Sequence, residues 1–260
     1  MAPSWQLTRE MFLSLGEVHS LRQHVRTQCE QTSGRARTSA EIDRLVIECL
    51  LFSGLRTTEF CRLTLADTVI GRQESVFVVT GLKGRDRTVY VPAEVSDLVR
   101  RFVRGTRPLL LPSGADPRNE TLPLVYGEHK NPVERTGLYR RVVRVLSAAG
   151  LGDRASVQLL RHTYGYLAYV GTGGNLLFVQ RQLGHAHPMV TSIYAQFVEE
   201  SYESLAQQVS RSLALQGQAE PPCRQTRPDQ GAFASCGCLE YSGESANSRS
   251  RTTMPRRYDI

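Results

Sequence analysis

The sequence predicts an α+β chain, mainly helical, with a small antiparallel β-sheet near its N-terminal half. Three observations carry this. Apolar residues recur at three- and four-residue spacing through most of the first two hundred or so positions, which is the helical period. Two β-rich runs, SVFVV (75–79) and TVYVP (88–92), flank a turn that contains glycine, which is the pattern of a hairpin. Near position 215 the periodicity stops and Gln, Pro, Ser, Gly and Arg take over. A segment of that kind cannot bury enough apolar surface to offset its ordering entropy. The expected organisation is therefore one domain over 1–214 and a disordered tail over 215–260.

Taken in order, residues 7–28 read as a helix, with Met11, Leu15, Val18 and Val25 on one stripe. QTSGRAR (31–37) reads as a loop. Thr38 and Glu41 then match a capping box, in which each side chain caps the other's backbone N–H. The helix they open places Ile42, Leu45, Val46, Cys49 and Leu50 at core spacing and stops near Ser53-Gly54. After the hairpin a helix is expected over 93–106, and PLVYG (123–127) reads as a short strand. A helix over 135–149 turns Leu138, Val142, Val145 and Leu146 inward and Arg140, Arg141 and Arg144 outward. Shorter helices are expected over 157–170, 175–183, 188–195 and 197–213. No internal repeat is evident.

Composition narrows the function classes. The formal net charge is +7, a mild pointer to a polyanion. No apolar run reaches the length of a membrane span, and MAPSWQLTRE lacks the apolar stretch of a signal peptide. The expectation is a soluble, cytoplasmic, nucleoid-associated protein with no membrane partner. Cys29, Cys49 and Cys61 read as small buried hydrophobes. Cys223, Cys236 and Cys238 are too few and too widely spaced for a metal signature. There is no phosphate-binding G-x-x-x-x-G-K-[ST] loop and no acidic cluster for a two-metal nuclease. Neither a metal nor an organic cofactor is expected. Only Lys83 and Lys130 are lysines, against thirty arginines. Lysine can give up its proton near neutral pH when desolvated, and arginine cannot.

Four fragments carry the chemistry. SGLRTTEFCRLTLAD (53–67) sets Arg56 just past a helix end, with Glu59 in reach as an orienting carboxylate. GLKGRDR (81–87) holds Lys83 out on the hairpin tip. SVQLLRHTYGYLA (156–168) puts Gln158 and Arg161 three apart, on one helical face. In QLGHAHPMVTSIYAQF (182–197), His185 precedes Tyr194 by nine residues. Each alone has an ordinary structural reading: a surface ion pair, a solvated turn, a polar helix edge, a helix-terminal histidine and a half-buried aromatic.

Together they resemble the tyrosine recombinases of the phage integrase family. That family carries an Arg in a T/S-G-L-R-x-x-E-x-x-x-L-x-x-x-D string, a Lys on a β-hairpin, a His-x-x-Arg pair, an L-G-H string, and a Tyr nine residues beyond that His. Ser53, Gly54, Leu55, Arg56, Glu59, Leu63 and Asp67 match the first string. Lys83, Arg161 with His162, Leu183-Gly184-His185 and Tyr194 match the rest. The resemblance spans about 7–213 and implies the catalytic-domain fold of that family. Two departures stand out. Gln158 occupies the position usually held by His. The family usually carries a separate helical DNA-clamping domain, and the residues ahead of Thr38 leave no room for one. The expectation is a solitary catalytic domain or a fragment of a longer protein.

The resemblance implies transesterification at a phosphodiester of double-stranded DNA, through a 3′-phosphotyrosyl intermediate. Two guanidiniums, Arg56 and Arg161, would clamp the nonbridging oxygens where charge concentrates, and their field would favour the phenolate of Tyr194. His185 would donate a further hydrogen bond, and Lys83 would protonate the leaving 5′-oxygen. Gln158 could support the phosphate but could not take a proton near neutral pH. Arg140, Arg141 and Arg144 are candidates for DNA-backbone contacts. Strand exchange would need self-assembly on DNA, as a tetrameric synapse, possibly with a separate clamping domain or partner. Two other readings are a type IB topoisomerase-like enzyme, which shares the nucleophile and the paired arginines, and a degenerate DNA-binding remnant.

Overall fold

A computed structural model describes residues 7–71, 74–81, 86–198 and 207. The chain divides into two units, Met1–Glu199 and Glu200–Ile260. Only the exposed, helical Gln207 is described in the second. The predicted tail, nearly all of the predicted 197–213 helix and the 1–214 boundary thus lie outside the described residues.

Helix α1 runs over Leu15–Gln31 rather than 7–28. The segment before it is extended apart from a short 3-10 turn at Arg9–Met11. The cause is Ser14, whose side chain accepts the N–H of Glu17 while Glu17 reaches back to the Ser14 N–H. This reciprocal capping box fixes the start of the helix. Leu15 consequently falls on the solvent side, 72% exposed, while Val18, Leu21, Val25 and Cys29 turn inward.

The predicted loop over 31–37 and the Thr38–Glu41 box are also corrected. Helix α2 covers Gly34–Ser53 with Ser33 at its N-cap. Thr38 is already one turn inside, and its hydroxyl donates to the Gly34 carbonyl. Helix α2 is the central element and packs against α1, against α4 (Ala93–Gly105), against α6 (Arg135–Ala148) and against α7 (Val157–Gly171). Ile42, Leu45, Val46, Ile47, Cys49, Leu50 and Leu51 are all buried, so its C-terminal half is covered on most sides, as a helix surrounded by others must be, and the one buried carboxylate there, Glu48, is paired with Arg22. It ends at Gly54, which takes the left-handed conformation with φ 61°. A Cβ there would sit 2.5 Å from a ring carbon of Tyr164 and 2.7 Å from Leu183 Cδ2. Only glycine satisfies both the backbone and the space.

Helix α3 (Thr57–Arg62) leads into a three-stranded antiparallel sheet of order β1-β2-β3. The hairpin appears as predicted, with β2 at Ser75–Val79 and β3 at Arg87–Tyr90 in the register Phe77↔Val89. The sequence reading missed β1 (Thr68–Ile70), a strand too short to show a period. Ser75, Phe77 and Val79 alternate with less buried neighbours, the mark of a sheet with one covered face. PLVYG is not a strand. It contributes two isolated bridges, Thr64↔Pro123 and Tyr126↔Pro132. The fully buried Arg107, in the short helix α5 (Arg107–Leu110), orders this region by donating to the carbonyls of Pro117, Leu122 and Pro123.

The inward stripe of α6 is as predicted, with Leu138, Val142, Val145 and Leu146 buried. Its arginines behave differently from expectation. Arg141 is part-buried and bonds Asp43 and both oxygens of Glu128, while Arg144 bonds both oxygens of Asp43. Arg140 and Arg144 are both exposed, as expected, and of the three only Arg140 makes no side-chain hydrogen bond among the described residues. Helices α8 (Leu176–Leu183) and α9 (Met189–Ser192) follow, then a 3-10 turn at Ala195–Phe197 in place of a continuous 188–195 helix. Pro188 directly before α9 and successive i→i+3 bonds through Tyr194 keep this segment short and tight.

A second, smaller core gathers both ends of the described chain. Leu7 and Phe12 pack with Tyr164, Val179, Leu183 and Tyr194. The Phe12 ring meets Phe197 edge-on with centroids 4.9 Å apart, Gln196 Nε2 donates to the Leu7 carbonyl, and the Leu13 N–H donates to Thr163 Oγ1. Among the described residues no helix is long and apolar enough to cross a membrane.

Candidate active site

The αL turn after α2 brings Arg56 to the N-cap of α3. Its backbone N–H donates to Glu59 Oε2 at 2.7 Å, and its Nη1 donates to Glu59 Oε1 at 2.8 Å. Its Nη2 donates to the carbonyl of Gly184 at 3.0 Å. The predicted Arg56–Glu59 unit is therefore present, and it is tied to the L-G-H string from the far end of the chain.

Arg161, on α7, is buried. Its Nη1 donates to the Gly54 carbonyl, and its Nη2 donates to the Leu183 carbonyl at 2.7 Å. Burial and the neighbouring Arg56 push its pKa down to about 10, which leaves it charged near neutral pH. Both arginines thus sit on the two helix C-terminal turns, 54 and 183–184, whose carbonyls are otherwise unsatisfied. Cations there also meet the negative ends of the helix dipoles.

His185 follows immediately and lines an open groove of about 1220 Å³ together with Arg56, Glu59, Arg87 and Arg181. Its Nδ1 lies 3.0 Å from Thr191 Oγ1. Burial, then the arginines Arg161 and Arg56, lower its pKa to about 4, so the ring is neutral near pH 7.

Tyr194 is only 1% exposed. Its hydroxyl lies 3.2 Å from Nδ1 of His162, the residue after Arg161. The ring rests directly on Gly165, where a Cβ would come within 2.5 Å of the hydroxyl oxygen and 2.6 Å of Cε2. Burial raises the Tyr194 pKa to about 12, against the lowering effect of Arg161. This corrects the expected phenolate: in the observed seat desolvation outweighs the arginine field, and Tyr194 is a protonated phenol. His162, pushed down to about 4 by burial and by Arg161, is neutral beside it.

The remaining predicted residues are placed less centrally. Gln158 is exposed in the first turn of α7 and makes no hydrogen bond among the described residues. Lys83 lies outside the described residues.

Sequence reasoning missed Arg87. Its guanidinium grips both Glu59 oxygens, at 2.6 and 2.8 Å, and its Nε donates to the Gln182 carbonyl at 3.3 Å. Burial raises the Glu59 pKa, but the hydrogen bonds from Arg87 and from the Arg56 backbone outweigh it and hold the carboxyl at about 2. The signal was available. Arg87 shares a strand face with buried Val89, and a cation on a core-facing position needs a carboxylate. Gly184, with φ 63°, admits this side chain, because a Cβ there would lie 2.9 Å from the Arg87 guanidinium.

The profile of the phage integrase family matches residues 13–200. The tyrosine recombinase XerD of Vibrio vulnificus (strain YJ016) is 28% identical over 167 residues, 64% of this chain and 52% of the relative. XerD of Ralstonia nicotianae is 31% identical over 164 residues, 63% of this chain and 51% of the relative. The chain thus spans about half the length of the curated relatives it matches. Among solved structures, the XerH site-specific recombinase bound to difH superimposes with a TM-score of 0.61 at 22% identity, over 79% of this chain and 55% of that one. The Tn1549 transposon integrase in complex with transposon right-end DNA gives 0.57 at 17%, over 79% and 67%. At such identities the likeness is one of fold. The profile covers well over half of the sequence, and the chain belongs to the phage integrase family of tyrosine recombinases.

Proposed function

We propose that this chain is the catalytic domain of a site-specific DNA recombinase, which breaks and rejoins double-stranded DNA through Tyr194 without metal or nucleotide. The observation that supports this best is the meeting of Arg56, Arg161 and His185 on the 54 and 183–184 turns, with Tyr194 hydrogen-bonded to His162, the residue beside Arg161. Two arginines and a neutral histidine supply donors for the nonbridging oxygens of a phosphodiester, where the transition state concentrates charge.

The Tyr194 oxygen attacks phosphorus, and the bond from phosphorus to the 5′-oxygen breaks. The phenol proton leaves through water or a phosphate oxygen, and Lys83 gives a proton to the departing 5′-oxygen. The phosphotyrosyl link keeps the bond energy, so a second 5′-hydroxyl can reseal the strand. Glu59 and Arg87 hold Arg56 in place. Gln158, exposed near Arg161, adds a neutral contact to phosphate or none. Tyr194 must leave its buried seat to react, so the observed arrangement is a resting one. Exposed Arg140 serves as a backbone contact, whereas Arg141 and Arg144 are already paired with carboxylates.

The domain spans 1–214, works in the cytoplasm where the DNA lies, and exchanges strands as a tetramer, with DNA clamping supplied from elsewhere. The test is incubation with nicked suicide duplexes, in which the departing strand is lost and adducts accumulate. A covalent protein–DNA product is expected, and it should be absent from Tyr194→Phe. An adduct that persists in that variant refutes the nucleophile.

A further inference from the structure

Thr191 is fully buried in α9. Its hydroxyl has one hydrogen-bond partner among the described residues, Nδ1 of His185 at 3.0 Å. A buried hydroxyl hydrogen left without an acceptor costs about 1–3 kcal/mol, and Nδ1 is the acceptor in reach. Donation from Thr191 requires Nδ1 to carry a lone pair, so the proton of the neutral ring must sit on Nε2. With Nδ1 engaged by Thr191, Nε2 is the nitrogen left to the groove that His185 lines. The rest of His185 is held independently, because its N–H donates to the Gln180 carbonyl and its own carbonyl accepts from Gln180 Nε2. Those bonds fix the backbone and leave the tautomer to Thr191.

We propose that Thr191 is a positioning residue whose hydroxyl locks His185 into the Nε2–H tautomer and so makes the groove-facing nitrogen a hydrogen-bond donor to a phosphate oxygen. The phosphate part rests on the reading given under Proposed function, and the tautomer part does not. Without the hydroxyl, a neutral imidazole can carry its proton on Nδ1 and turn a lone pair toward the anion, which converts an attraction into a repulsion. Thr191 also accepts the Tyr194 N–H on its backbone carbonyl, at 3.2 Å. One residue therefore fixes the tautomer of His185 and the backbone turn that carries Tyr194.

The test uses the full chain labelled with ¹⁵N in its histidine rings. Long-range proton–nitrogen correlation near pH 7 distinguishes the two tautomers, and His185→Gln identifies the His185 signals. The wild type and Thr191→Ser should show the Nε2–H form. Thr191→Val should show the Nδ1–H form or a mixture. A wild-type His185 in the Nδ1–H form overturns the proposal whether or not any variant folds, and so does a folded Thr191→Val chain that keeps the Nε2–H signature. On suicide duplexes, Thr191→Val should form adduct about tenfold more slowly, the equivalent of one hydrogen bond. Thr191→Ser should restore the rate. Equal defects in both variants would mark a merely structural role and overturn the proposal. A wild type that forms no adduct would count against the proposed function, while the spectra would still decide the tautomer.

Discussion

Arg87 and Glu59 form a two-point ion pair across 28 residues of chain, with Nη1 on Oε1 at 2.6 Å and Nη2 on Oε2 at 2.8 Å. The pairing has a consequence in pH. The Glu59 carboxyl is held at about 2 in the fold, below its ordinary 4.5. A depressed acid stabilises the fold above its unfolded pKa and loses that contribution as pH falls toward the folded one. A shift of this size corresponds to roughly 3 kcal/mol. Between about pH 4.5 and 2 the wild type should therefore lose more stability than Glu59→Gln does, as read from urea midpoints at stepped pH. Parallel slopes for the two chains would show that Glu59 is not held down.

Gly165 leaves the space that the Tyr194 ring fills. Gly165→Ala forces the ring or α7 to shift, and overpacking of this kind costs about 1–3 kcal/mol. The expected outcome is a lower unfolding midpoint and a tyrosine more accessible to solvent, measured by fluorescence quenching. A chain as stable as the wild type, with Tyr194 still shielded, would refute the close packing.

Burial holds the Tyr194 phenol at about 12. In a near-ultraviolet titration, the difference between wild type and Tyr194→Phe should show one tyrosine that ionises only near that pH. Ionisation near the ordinary value of 10 would mean that the arginine field wins over desolvation.

For Lys83 the expected role is proton donation to the leaving oxygen. Lys83→Arg keeps the charge but loses the transferable proton. Cleavage of ordinary DNA should fall on the order of a hundredfold or more. A substrate with sulfur at the 5′-bridging position should be cleaved at nearly the wild-type rate, because a thiolate leaves unprotonated. Equal loss on both substrates removes Lys83 as the acid.

At Gln158 a histidine would add a group that titrates near pH 6–7. Gln158→His should raise the single-turnover rate modestly and introduce that titration. Gln158→Ala should cost less than Arg161→Ala, because the arginine faces the full phosphate charge. If the two alanine variants are equally inactive, Gln158 is an essential phosphate ligand.

Much of the fold was legible where the period is long and unbroken. SVFVV against TVYVP gave the hairpin, and Leu138, Val142, Val145 and Leu146 gave the inward face of α6. The misreadings have local causes. Thr38 and Glu41 have capping-box spacing, yet α2 begins at Gly34. Ser14 and Glu17 have the same spacing and are the real cap, hidden because Met11, Leu15 and Val18 suggested an earlier helix. At the site, Arg56, Glu59, Arg161, His185 and Tyr194 were found because their types and spacing follow a family pattern. The residues that support them were not, since their partners are distant. Glu59 is Arg87's partner, and Asp43 is Arg141's across 98 residues. His162 met Tyr194, and Thr191 met His185, only once the chain had folded.

The small core around Tyr194 also sets an order in time. Its closing contacts join the two ends of the described chain: Gln196 to Leu7 across 189 residues, and Leu13 to Thr163 across 150. Contacts of such long sequence separation close late, and a chain emerging from the ribosome N-terminus first cannot make them until its last partner is out. The turn at Gly54 and the first four helices can assemble while the segment that carries Tyr194 is still untranslated. Tyr194 is therefore the last residue of the site to be seated, and a nascent chain holds Arg56 on its first helices before the residue proposed to cut has been made.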